Sequence, residues 1–144
     1  MPSTDTTFTR SEWTLLVRLP GQVVAAATAA GQDHGTGTVA QALAGLDAIA
    51  AGRGSPNALV RNVVGAIYAE RDAEVGSVAG HAAVVDACRQ ASEILAVRSL
   101  DDRDAYRGWV LSAAERTCGA GRPGGSPGGD ARRLLADLAG ALGG

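Results

Sequence analysis

Residues 78–99, VAGHAAVVDACRQASEILAVRS, hold no proline and only one interior glycine, Gly80, and their spacing decides the fold. At 3.6 residues per turn, His81, Val85, Cys88, Ser92 and Leu95 fall on one side, with Val84, Ala87, Ala91 and Ile94 beside them. Asp86, Arg89 and Glu93 fall opposite, as a solvated face with an acid–base pair at i,i+3. The stretch is too long for a strand, and its period is helical.

The same grammar repeats on both sides. Downstream, Leu100–Asp104 places carboxylates where a helix N-terminus favours them, as an acidic cap, and the helix that follows should bury Tyr106, Trp109, Val110, Ala113 and Thr117. GAGRPGGSPGG at 119–129 reads as a flexible loop, and Asp130 as the cap of a last helix with an apolar stripe of Leu134, Leu135, Leu138, Ala141 and Leu142. Upstream, Arg71–Ser77 is a charged junction, and Ser55-Pro56 reads as a cap and first-turn proline opening a helix to about Glu70. The face of that helix, Leu59, Val60, Val63, Val64 and Ile67, is the most β-branched in the chain. Before it, Thr38 and Gln41 form a capping box for a helix whose expected buried stripe is 39, 42, 43, 46, 49 and 50. Thr9 and Glu12 form another, with Phe8 and Trp13 as its hydrophobic staple. Pro20 disfavours helical geometry at Leu19, so this first helix is expected to end there and a second to run from Gln22 to Ala30.

Composition supports the same class. Among 144 residues there are 29 Ala and 20 Gly against five aromatic side chains, which suits closely packed helices and not strands. All 13 basic residues are Arg, which excludes a Schiff-base lysine and a phosphate-binding GK[ST] loop. The net charge of −2 and the lack of a basic stripe argue against nucleic acid as a partner. The longest weakly apolar run, Val23–Ala30, is far short of the ~20 residues that span a bilayer, so no membrane role is expected. Two cysteines and an N-terminus without an apolar signal core point to reduced thiols and a cytoplasmic protein.

Few residues offer chemistry. His81 and Cys88 share a helix side but lie about 10.5 Å apart along its axis, too far for one metal ion. The loop His34–Thr38 lacks the strand and glycine pattern of a phosphate cradle and reads as a turn. Glu70, Asp72 and Glu74 diverge around a helix, Cys118 sits at the helix end that disfavours a thiolate, and Arg122, Arg132 and Arg133 read as solvated. No catalytic residue, metal site or cofactor emerges. Two surfaces remain as candidates: a pocket walled by helices and lined by His81, Cys88, Tyr106 and Trp109, and the stripe Leu134, Leu135, Leu138 and Leu142, which can dock on its own bundle or on a partner.

The FTRSEW start at 8–13, the leucines before Pro20, the Ala-rich body, the glycine-rich loop and the LAGALGG ending resemble a small family of bacterial all-helical proteins. The resemblance implies the fold and no activity. In that family the glycine loop carries bulky apolar residues, and residues 122–130 here carry none. The expectation is therefore an all-α, single-domain bundle of six to seven helices. Residues 1–8 form a polar tail, 9–118 the bundle, 119–129 the loop and 130–144 a C-terminal helix docked on the bundle. The expected function is non-catalytic association, as a homo-oligomer or with a protein partner. Small-molecule binding in an apolar pocket is the alternative, and an enzyme with His81 as general base comes last.

Overall fold

The computed structural model describes residues 8–30, 38–69, 81–119 and 129–143. They form six helices: α1 (Arg10–Ala30), α2 (Thr38–Ala50), α3 (Ala58–Ala69), α4 (His81–Arg98), α5 (Leu100–Gly119) and α6 (Gly129–Gly143). A 3-10 turn, Ala51–Gly54, follows α2, and no strand occurs among the described residues. The fold is an all-α bundle around α5, which packs on each of the other five helices. Its buried positions 106, 109, 110, 113, 114, 117 and 118 step by three and four, so one stripe meets all its neighbours. The expected junction at 71–77, the loop at 32–37, the acids at 70, 72 and 74, and 120–128 of the glycine loop lie outside the described residues, as does the side chain of Asp130.

Pro20 does not end the first helix. α1 runs unbroken through it, so two expected helices are one. A proline inside a helix has no N–H, which leaves the carbonyl four residues back without its donor. Here that carbonyl belongs to Leu16, and the Tyr106 hydroxyl of α5 donates to it at 2.7 Å. The helix survives because a tertiary contact replaces the bond that the proline removes. At the start of α1 the capping box forms in full: the Glu12 amide donates to Thr9 Oγ1 at 3.1 Å and the Thr9 amide to Glu12 Oε1 at 3.0 Å. Phe8 stacks on Trp13 at 6.0 Å between centroids and is buried, so this residue of the expected tail belongs to the core.

Two further caps differ from expectation. α3 starts at Ala58, and Asn57 caps it: its Oδ1 accepts from the Val60 amide at 3.1 Å, while Ser55 Oγ accepts from the Asn57 amide. Ser99 caps α5 by accepting from the Asp102 amide at 3.3 Å, and the Asp101 and Asp102 carboxylates follow in the first turn. The Ser99 amide also donates to Leu95 O, so one residue closes α4 and opens α5.

α2 buries only part of its expected stripe: Ile49 faces inward, Leu43 and Leu46 do not, and the side chains at 39 and 42 lie outside the described residues. Gln41, Gly45, Ala48 and Ile49 are buried, whereas Leu43 and Leu46 are 57% and 48% exposed. The cause is the close approach of α2 to α1 and α5. A Cβ built on Gly45 would collide with the Thr117 hydroxyl and lie 2.6 Å from Val24 Cγ1. Only the Gly/Ala side of α2 permits that distance, and the leucines are rotated outward. Gly52 repeats the device, since a Cβ there would lie 2.7 Å from both the Trp109 indole nitrogen and Val64 Cγ2.

Candidate functional site

The four residues expected to line a pocket part company. Cys88 on α4 and Tyr106 on α5 are fully buried, and Tyr106 meets Trp109 edge-on at 5.8 Å between centroids. Their polar atoms serve the backbone. Tyr106 donates to the Leu16 carbonyl, and Trp109 Nε1 donates at 3.2 Å to the Ile49 carbonyl, where α2 gives way to the 3-10 turn. Helix interruptions strand carbonyls, and buried ones need a donor. Burial pushes the Cys88 thiol from its ordinary 9.0 up to about 12, so at neutral pH it stays protonated and is no nucleophile. Burial, and then the neighbouring Cys88, raise the Tyr106 hydroxyl well above its ordinary range.

His81 stands apart from these three. It is the first residue of α4, its side chain is 43% exposed, and its Nε2 lies 2.7 Å from Asp137 Oδ2 on α6. The pair ties two helices at the surface. No group of three or more His, Cys, Asp or Glu able to hold a metal ion occurs among the described residues.

The leucine stripe is also occupied from within. Leu134, Leu138 and Leu142 are buried where α6 packs on α4 and α5, and Leu135 is half-buried. Ser92 Oγ on α4 donates at 3.0 Å to the Leu142 carbonyl, one of the last carbonyls of α6, which have no partner within the helix.

What remains open is elsewhere on the surface. Besides Leu43 and Leu46, Val97 and Leu100 at the α4–α5 corner are 88% and 58% exposed. Val97 borders a groove of about 850 Å³ between α3, α4 and the start of α1. Ala58, Ile94 and Val97 supply its accessible apolar surface over the buried Phe8 and Leu59, and Glu12, Glu93 and Asp102 its carboxylates. The one cation in the lining, Arg98, lies with its guanidinium over the Phe8 ring at 4.7 Å. Neither surface has a contiguous motif. The groove is assembled from four segments, and the exposure of α2's leucines depends on Gly45, a residue that gave no warning by itself. No helix of the described residues is long and apolar enough to cross a membrane. Comparison with protein-family models, with curated proteins and with solved structures finds no match to this chain.

Proposed function

We propose that the protein is a non-catalytic association module that pairs with a second copy of itself through the outer face of α2. The observation that carries this reading is the exposure of Leu43 and Leu46, one turn apart on a helix whose only charged residue is Asp47. In a two-fold pairing the same patch meets itself, so like charges are brought together. A face with almost no charge escapes that repulsion. Surface leucines are ordinary when scattered, but here two share one helix face. The pocket reading has weaker support, because Cys88 and Tyr106 are sealed in the core and the Tyr106 and Trp109 donors already have acceptors.

Sedimentation velocity over a concentration series tests the proposal. The expected result is a shift from one chain to two as concentration rises. Leu43→Glu with Leu46→Glu should abolish the shift while leaving the helical circular dichroism unchanged. A mass of one chain throughout the series overturns the reading.

A further inference from the structure

We propose that the groove between α3, α4 and the start of α1 receives a basic amphipathic helix from a partner protein. The groove has the two properties that such a helix requires. Its accessible apolar surface comes from Ala58, the half-buried Ile94 and Val97, which stands almost fully exposed at the edge, over the buried Phe8 and Leu59. A helix lays an apolar stripe into a surface of this kind at i, i+3, i+4 and i+7. Its charge is the second property. Glu12, Glu93 and Asp102 face one opposing cation, Arg98, whose guanidinium rests against the Phe8 ring. Glu12 uses Oε1 to cap α1, and Asp102 uses Oδ1 to accept from Asn57 Nδ2 at 2.9 Å, so both carboxylates are held in place. Positioned carboxylates around an apolar surface select a partner with the opposite charge and fix its register.

The same charges argue against the other occupants. A second copy in a two-fold pairing would set this acidic groove against itself, and like-charge juxtaposition is costly. A nucleic acid would meet three carboxylates where it needs cations. The groove lies on residues other than Leu43 and Leu46, so this inference stands independently of self-association through α2.

The test is a titration of the isotope-labelled full chain with a synthetic amphipathic peptide, leucines at helical spacing and lysine and arginine on the flanks, followed by amide chemical shifts. A matched peptide with glutamates in place of the basic residues is the control. The basic peptide should give saturable shifts across Glu93–Arg98 and at Leu59, and the acidic one none. Glu93→Lys and Val97→Lys change exposed side chains and should each weaken binding by roughly tenfold. Binding should persist in the Leu43→Glu, Leu46→Glu protein. The proposal is overturned by an absence of saturable shifts, by an equal response to the acidic peptide, or by shifts confined to α2. It is equally overturned if Glu93→Lys alters the sedimentation of the protein alone, since that outcome makes the groove an interface between copies.

Discussion

Tyr106 and Pro20 belong to one argument at the level of single side chains. The proline strips the Leu16 carbonyl of its helical donor, and the tyrosine hydroxyl supplies another. Tyr106→Phe should therefore cost about 1–3 kcal/mol, because it leaves a buried carbonyl unpaired. Pro20→Ala restores the N–H, so Tyr106→Phe should cost less in that background. Denaturant unfolding of the four proteins in a double-mutant cycle reads the coupling directly, and additive effects would show that the two residues act separately. Sequence reasoning identified Tyr106 as buried and Pro20 as a disturbance. It could not join them, because a helix break and a remote donor 90 residues away have no common signature along the chain.

Among the elements, α2 shows what periodicity can and cannot decide. Its helical character is legible from spacing and composition. Its orientation is not, because the expected stripe ranked side chains by hydrophobicity while the packing ranked them by size. Gly45 faces α1 and α5, and Leu43 and Leu46 are left outside. Gly45→Ala should destabilise the protein by about 1–3 kcal/mol through overpacking. Gly108→Ala, in α5 with open space where its Cβ would go, should stabilise it by about 0.5–1 kcal/mol. Thermal melts of the two variants should move in opposite directions, and a common direction would remove close approach as the reason for α2's rotation. The caps were easier to read where both partners are neighbours in sequence, as with Thr9 and Glu12. They were misplaced where two residues close in sequence competed, as Ser55 and Asn57 do.

For the molecule as a whole, fold class was legible and the open surfaces were not, since the groove draws residues from four separate segments. The burial of Cys88 and Tyr106 also gives the bundle a pH profile. Both hydrogens are held more tightly in the folded chain than in the unfolded one. The thiol's contribution to stability is complete below its ordinary value of 9.0 and is lost as pH rises toward about 12, and the hydroxyl's begins to be lost above its own ordinary value of 10.0. The midpoint of urea unfolding should fall across that range, and Cys88→Ala should make the decline shallower. An unchanged slope in that variant would exclude the thiol as a source of the alkaline loss. The thiol itself should remain unmodified by a disulfide reagent until the chain unfolds.

The protein has two tyrosines, Tyr68 at the surface and Tyr106 sealed between α1 and α5. Tyrosinate absorbs at longer wavelength than tyrosine, and hydroxide reaches Tyr106 only when α5 leaves α1. That separation makes Tyr106 a built-in optical clock: after a jump to alkaline pH, its tyrosinate absorbance should appear at the rate at which the central helix is released.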